Sequence, residues 1–455
     1  MDNIKDPFLK KEYGRMQRLL LLTAACIPFD QTLLSVLLAV TLFYGFFLLR
    51  KEADEAKPAY VEGRVWPLFL KTVLLFLLMT GYLSLHNPLI KEKTACYFNF
   101  FYVVGQYVAV VCLFTRFGNY FAGRPRFAED QHVFAGQFVL QSFWQQCKIR
   151  PFIMRVMAVL CLTALISVAA GIGQHYFGGA TASIWVDREA NPLLHNRVYS
   201  TWENPNIFAG YLCVVAAFLM GFIGEERNSR RRWLLFGFLL LVLVCEVFTF
   251  SRGFWAAMAA EVILFVLFFY RKGILYLLGV VAAGAILAGP VVWQRLATLR
   301  HVMEDSSAAL RLGYLEIAQA IIADHPWGIG WYNYRYIFPE YDYYLKDPSV
   351  IMYHSHNLFL NITAELGFQG LLFFLLAWGA LLRSAWRLHK KGRCFWIRAV
   401  GKGYLLMSVG LFTGGLGDHI LFNVRMGILF WLLSTLVILC LQYNQYGEED
   451  IRKTE

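Results

Sequence analysis

Long runs of uncharged, apolar residues recur along almost the whole chain and limit its possible folds more than any other feature. A helix needs about 20 such residues to cross the hydrocarbon core of a bilayer. The runs fall at 18–28, 31–49, 66–85, 97–115, 152–174, 204–224, 233–250, 254–270, 273–292, 358–382, 399–416 and 422–442. They predict an all-α, polytopic membrane protein with about twelve transmembrane helices, the first of which is short.

The amino-acid composition supports a membrane protein and argues against a metal site or a disulfide framework. Hydrophobic residues make up 58% of the chain and charged residues 16%, far from the balance of a soluble domain. The nine cysteines are scattered without a CxxC pair or a Cys/His cluster, so neither a metal site nor a disulfide framework is expected. Because no repeat or separate soluble segment is seen, residues 1–455 are predicted to form a single integral-membrane domain. No cofactor is expected.

The net charge of +11 raises the question of a nucleic-acid partner, but the distribution of the charges argues against one. With the N-terminus inside, one set of alternate loops and the tail hold about 30 of the 42 Lys and Arg residues, and the opposite side about 11. This bias predicts that both termini are cytoplasmic. The excess of positive charge is therefore explained by membrane topology, and membrane lipids rather than nucleic acid are the expected partners.

Two long loops are predicted on the outer side, at about 174–204 and 293–357. The second lies between predicted spans nine and ten, and loops of this length usually carry function. It contains an amphipathic helix and the aromatic run WYNYRYIFPEYDYY, suited to stacking on sugars or resting at the lipid interface. On the inner side, residues 128–146 are predicted to form an interfacial amphipathic helix.

Two arginines lie on the predicted outer side, where basic residues are otherwise scarce. Arg252 lies in the tight Ser-Arg-Gly turn between two spans, and Arg311 opens the helix in the large loop. Arg252 is either a snorkelling arginine near a helix end or a fixed cation for a bound anion. For Arg311 the alternative to anion binding is an ordinary solvated face.

A polar stripe begins where the chain re-enters the membrane at YHSHNLFLNITAELGFQG. Asn357, Asn361 and Glu365 recur every four residues, so they share one helical face. His354 and His356 precede this helix. A histidine there either caps the helix locally or serves as a general base, since its ordinary pKa suits proton transfer near neutrality.

The second half of the chain resembles the O-antigen ligase/polymerase family of bacterial membrane glycosyltransferases. The matching motifs are an Asn-Pro-Asn entering a span, the Ser-Arg-Gly turn, an Arg-led loop helix ending in His-Pro-x-Gly-x-Gly, and His-Asn followed by Glu-x-Gly-x-x-Gly. The first 200 residues carry no comparable signature. The resemblance implies location in a bacterial inner membrane, with the large loop and the active site periplasmic.

The resemblance also implies a reaction. A glycan would pass from undecaprenyl diphosphate to a sugar hydroxyl of lipid A–core in a ligase, or to a second lipid-linked glycan in an O-antigen or capsule polymerase. Arg252 and Arg311 would neutralise the diphosphate leaving group, and His356 would be the general base, although His354 could take that role. Substrate-binding roles are expected for His354, Asn357, Asn204, Asn206 and Tyr314.

The outer loops contain no DxD motif, which favours a metal-independent, inverting displacement. Glu365 is expected to be structural, and Gly367 and Gly370 to permit close helix packing. Two further classes stay open: a protein O-oligosaccharyltransferase, and a transporter of lipid-linked glycans. A transporter would place ionisable residues at mid-membrane, whereas the notable cations here lie at the outer rim.

Overall fold

A computed structural model describes residues 7–54, 86–122, 152–178, 196–273, 293, 306–343 and 351–452. Within these ranges the secondary structure is helical without strands, which confirms the predicted all-α class. The helices are α1 (Pro7–Cys26), α2 (Gln31–Asp54), α3 (Lys93–Ala122), α4 (Phe152–Phe177), α5 (Pro205–Ile223), α6 (Ser229–Phe248), α7 (Arg252–Leu264), α8 (Ser306–Asp324), α9 (Tyr334–Tyr341), α10 (Leu358–Lys391), α11 (Phe395–Gly415) and α12 (Val424–Arg452). A π-helical turn, Phe265–Phe269, extends α7, and short 3₁₀ turns occupy Ser200–Trp202, Arg271–Gly273 and Ile420–Phe422.

Several helices are long and apolar enough to cross a bilayer. Among the described residues there are 7: α2, α3, α4, α5, α7 with its π-helical turn, α10 and α12. Helices α1, α6 and α11 overlap predicted spans but are not among the 7, and in α1 and α6 apolar residues share the helix with several charges. The predicted spans 66–85 and 273–292 and the interfacial helix 128–146 lie outside the described residues. The chain is thus a multi-pass membrane protein, while the number twelve stays a prediction.

The centre of the bundle is the packing of α5 against α11, flanked by α6, α7 and α10. Small residues allow the close approach. A Cβ added at Gly221 of α5 would lie 2.5 Å from the carbonyl oxygen of Ala399, and one added at Gly403 of α11 would lie 2.7 Å from the Phe218 ring. Because apolar surface alone does not draw helices together in lipid, this backbone proximity is a main source of their association.

The described part of the large loop has a small hydrophobic core of its own. Ile317 and Ile321 of α8 pack with Tyr334 and Phe338 of α9. Tyr334 and Phe338 are fully buried, so part of the aromatic run predicted to meet sugars or lipid serves as core instead. The loop is therefore a folded cap on the end of the bundle.

A backbone seam joins this cap to α10. The N–H groups of Ile329 and Gly330 donate to the carbonyls of Ala364 and Glu365 at 2.9 Å each, and Phe368 N–H donates to Pro326 at 3.1 Å. The seam crosses a kink in α10 at Gly367, whose φ is 72°. A Cβ at Gly367 would lie 2.5 Å from the Trp327 carbonyl carbon. Gly367 thus permits a kink and the docking of the cap, where close packing of helices was predicted.

The predicted polar stripe on α10 is buried inside the protein. Asn357, Asn361 and Glu365 are 8%, 2% and 5% exposed. The Asn361 Oδ1 accepts from Ser355 N–H at 3.0 Å, and the Glu365 Oε1 accepts from Tyr334 N–H at 3.5 Å. Both side chains bind the backbone that carries the histidine pair and the cap.

Candidate functional site

The starts of α5, α7 and α10 meet the end of α11 at one end of the bundle, below the cap. Polar side chains from the starts of α5 and α10 and from the cap contact the turn between α11 and α12, and Ser251 before α7 is linked to that turn through Asn206. The residue at the centre of that turn is Asp418, which is buried at 9% exposure. Of the predicted site residues, it contacts His356, Arg311 and Asn206.

Both carboxylate oxygens of Asp418 accept hydrogen bonds or contact cations. Oδ1 lies 3.2 Å from His356 Nδ1 and accepts from His419 N–H at 2.8 Å. Oδ2 accepts from Asn206 Nδ2 at 3.0 Å and lies 3.8 Å from an Arg311 guanidinium nitrogen. An acid buried this deeply is stable only with such partners.

The charge state of Asp418 determines the tautomer of His356. Burial alone would raise the pKa of Asp418, but the hydrogen bond and charge of His356, together with Arg311, lower that pKa below its ordinary value. The group is therefore a carboxylate near neutral pH and only accepts hydrogen bonds. We assign the proton of neutral His356 to Nδ1, which leaves the Nε2 lone pair as the basic atom.

The backbone and ring of His356 are both constrained. Its φ is 51°, in the left-handed region that a non-glycine residue rarely adopts. The ring lies 5.5 Å from the Tyr314 ring at an angle of 24°, and the His354 ring centroid is 4.5 Å away. His356 N–H also donates to His354 Nδ1 at 3.2 Å. Strained backbone at a polar cluster is typical of functional sites.

Arg311 and Tyr314 extend from one face of α8, three residues apart, toward the same imidazole and carboxylate. The Arg311 side chain is 35% exposed although it lies beside the buried Asp418. Its guanidinium is thus held over the site while part of it stays open to an anion. Burial raises the pKa of Tyr314, so the phenol is neutral near pH 7.

A second layer lies below Asp418. Asn206 Oδ1 accepts from Arg197 Nη2 at 2.8 Å and from Ser251 Oγ at 2.9 Å. Arg197 also donates through Nε to the Thr249 carbonyl at 2.9 Å. These bonds position the turn in which Ser251 precedes α7 and Arg252 is its first residue. Arg252 therefore lies at the same end of the bundle as His356 and Arg311.

Two of the predicted substrate-binding residues act as helix caps. The Asn204 Oδ1 accepts from the N–H groups of Asn206 and Ile207 at the start of α5, with Pro205 as the first helical residue. The Asn357 Oδ1 accepts from Phe359 and Leu360 N–H, and its Nδ2 donates to the Leu416 carbonyl at 3.0 Å. Both shape the site, and contact of either with substrate stays a prediction.

An aromatic surface adjoins the histidines. The Phe422 ring lies 4.9 Å from His354 and 6.2 Å from Tyr332, and Tyr332 lies 6.3 Å from Tyr353. Tyr353 is 40% exposed, and the Arg335 guanidinium lies 4.7 Å from its ring centroid. Unlike Tyr334 and Phe338, these aromatic side chains are placed beside the polar cluster.

Among the described residues, His354, His356 and Asp418 also have the composition of a metal site, with candidate ligand atoms within 4.8 Å of one another. However, Asp418 already accepts from His356, His419 and Asn206 and faces Arg311. A cation added there would replace hydrogen bonds and lie close to a guanidinium. The donor set is better suited to orienting an imidazole.

Asp418 and Arg197 are the two site residues that the sequence analysis missed. Arg197 lies in the predicted outer loop at about 174–204, within HNRVYS, and Asp418 lies in a predicted outer turn, within GLGDHI; neither stretch carries a recognisable motif. The available signal was the position of an ionisable residue on the predicted outer side, beside a predicted span. That signal had already identified Arg252, and it applies equally to Asp418.

The cluster lies largely within a segment that matches a known family. Residues 236–375 match the family model described as O-Antigen ligase. The match covers 140 of the 455 residues, and this segment of the chain is similar to the O-antigen ligase family. No curated protein matches the chain. The matched segment includes Arg252, Arg311, Tyr314, His354 and His356, while Asn206 and Asp418 lie outside it.

The histidines of the cluster give the protein a testable dependence on pH. Burial, followed by the charge of His356, lowers the pKa of His354 to about 4, and burial, followed by the charge of His354, lowers that of His419 to about 3. From the ordinary value near 6.5 down to these values, the unfolded chain binds protons that the folded site does not. The free energy of unfolding is therefore expected to fall on acidification from about pH 7 to pH 4.

Thermal unfolding in detergent between pH 7 and pH 4.5 checks this dependence. The His419→Asn variant should show a clearly shallower decline than the unaltered protein, because one of the two protonation steps is removed. An unchanged slope in that variant would show that other groups cause the acid sensitivity.

Proposed function

We propose that this protein is an O-antigen ligase, which transfers a glycan from undecaprenyl diphosphate to a sugar hydroxyl of lipid A–core at the periplasmic face of the bacterial inner membrane. The observation that carries the proposal is the position of the Asp418 carboxylate, which contacts His356 on one oxygen and Arg311 on the other. It brings a candidate base and a candidate anion-binding group into one site.

His356 acts as the general base of this reaction. Its Nε2 accepts the proton of the attacking hydroxyl as that oxygen bonds to the anomeric carbon, and Asp418 stabilises the imidazolium that forms. His354 is the weaker candidate, because a pKa of about 4 makes it a poor base near neutral pH. We treat His354 as a neighbour that positions the His356 backbone.

Arg311 and Arg252 bind the diphosphate. The bond from the anomeric carbon to the diphosphate oxygen breaks as the new bond forms, and the electron pair stays with the leaving group. Guanidinium groups bind phosphate oxygens in pairs of hydrogen bonds and stay charged at any working pH. A stabilised diphosphate needs no protonation to leave, so one base and two arginines suffice without a metal. A single displacement of this kind inverts the anomeric centre.

The acceptor distinguishes a ligase from a polymerase of the same family. The aromatic surface of Tyr332, Tyr353 and Phe422 beside His354 offers a place for an acceptor sugar in either case. Purified protein incubated with undecaprenyl-diphosphate glycan and either lipid A–core or a second donor molecule separates the two. Extension of lipid A–core without added metal supports the proposal. Extension of the lipid-linked glycan alone would identify a polymerase.

The arginine roles lead to a prediction about charge-conserving changes. Arg252→Lys and Arg311→Lys are each expected to reduce transfer roughly 10- to 100-fold, because lysine keeps the charge but loses the paired hydrogen bonds. The control is Arg383→Lys, an exposed position on α10 outside the site. Initial rates at matched expression measure the effect. Near-normal rates for both site variants would argue strongly against a diphosphate clamp.

A further inference from the structure

A groove lies at the opposite end of α6 and α7 from Asp418. It has a volume of about 270 Å³ and runs between α5, α6 and α7, with an apolar lining that includes Met220, Phe236, Leu239, Val262 and Val266. The first turns of α6 contribute Ser229, Arg232 and Trp233, and the chain after α7 contributes Tyr270. We refer to it as the α6 groove. Its chemistry is apolar along its length and cationic at one end.

Arg232 is the charged residue of the α6 groove. Its Nε is buried and has no hydrogen-bond partner among the described residues. A guanidinium N–H placed in this way loses its interaction with water without gaining an acceptor. The side chain is therefore suited to an anionic oxygen from outside the protein.

The surroundings of Arg232 strengthen the positive potential. Arg227 and Arg230 are exposed on the same segment. The two nearest acids in sequence are engaged elsewhere. Glu225 binds Arg398 at 2.8 Å and Lys402 at 2.7 Å, and Glu226 accepts from Asn228 N–H at 2.8 Å. The mouth of the α6 groove is thus positive while its interior is apolar.

The position of the groove relative to the bilayer agrees with this chemistry. Two of its walls, α5 and α7, are candidate membrane spans. Trp233 at the mouth is 62% exposed, and tryptophan is enriched where a helix meets the lipid headgroups. Apolar surface below a cationic rim at that depth matches the division of a phospholipid into acyl chains and headgroup.

We propose that the α6 groove binds an anionic glycerophospholipid, with its phosphate on Arg232 and one acyl chain along the apolar wall. Charge complementarity selects a headgroup with net negative charge. The lipid is separate from the glycan donor, because α6 runs about 24 Å from Arg232 to its end at Phe248, near Asp418. The proposal is independent of glycan transfer.

Native mass spectrometry of the full-length protein in detergent tests the proposal. The delipidated protein is titrated with dioleoyl phosphatidylglycerol or with dioleoyl phosphatidylcholine. Phosphatidylglycerol is expected to bind roughly fivefold more tightly, and Arg232→Gln should remove that preference. The matched control is Arg230→Gln, which removes an exposed charge from the same turn without altering the groove.

A second variant tests the apolar part of the site. Val262→Phe places a larger side chain in the α6 groove and leaves Arg232 unchanged, so it should weaken binding of phosphatidylglycerol, with unfolding temperature as the check on folding. Three outcomes would overturn the proposal. These are equal binding of both lipids, equal losses in the Arg232 and Arg230 variants, and full binding by a folded Val262→Phe protein.

Discussion

Replacing His356 with alanine is expected to slow glycan transfer by about 10²–10⁴-fold, the usual contribution of a positioned general base. The fold should survive, because the His356 side chain is 28% exposed and belongs to a loop. Donor binding should also survive, since we assign binding of the diphosphate to the arginines. The measurements are transfer rate, unfolding temperature and photocrosslinking to a lipid-linked donor.

The neighbouring histidine provides the control for this variant. His354→Ala removes a ring of the same size 4.5 Å away, yet it is expected to cause a smaller loss than His356→Ala. Full activity in His356→Ala would exclude the proposed base. Greater damage from His354→Ala would transfer that role to His354.

Asp418→Asn is expected to reduce transfer by at least about tenfold, with the loss of the base itself as the upper limit. Each carboxylate oxygen of Asp418 accepts from, or faces, N–H groups: His356 and His419 on Oδ1, and Asn206 and Arg311 on Oδ2. An asparagine has one NH₂ group, so either orientation places a donor against a donor. The tautomer of His356 or the position of Arg311 is then disturbed.

The separation of rate from stability distinguishes positioning from simple destabilisation. If Asp418 orients His356 and Arg311, Asp418→Asn should lower the transfer rate while the unfolding temperature stays close to that of the unaltered protein. Glu203→Gln is the matched control, because Glu203 is an acid that is 81% exposed beside Arg425 and outside the cluster. A loss of rate accompanied by a matching fall in unfolding temperature in Asp418→Asn would indicate damage to the fold alone.

Local patterns in the sequence predicted much of the fold. Apolar runs marked the starts of α2, α5, α10 and α12 within two residues, because the need for about 20 apolar residues is a local property, whereas α10 and α12 continue past the predicted ends. The start of α5 at Asn204-Pro205 follows from capping chemistry in the same way. The strongest predictions were those that depend on neighbours in the chain.

The site was predictable only in part. His356 and Arg311 were recognisable from motifs, but Asp418 lies 62 residues from His356 in the chain. Their contact depends on how α11 packs between α5 and α10, which no local pattern encodes. Arg197 is similar, since its partners Thr249 and Asn206 come from two different helix ends. Buried polar contacts between segments distant in the chain were therefore not predictable from the sequence.

The seam between residues 326–330 and the kinked part of α10 has a mechanical consequence. Three main-chain hydrogen bonds act in parallel, each with a net contribution of about 1 kcal/mol, and they join the cap to the helix that follows His356. Arg311 on the cap and His356 before α10 are therefore expected to move together as one body. A bulky lipid-borne sugar must then enter either when the cap and α10 move jointly or through an opening between helices.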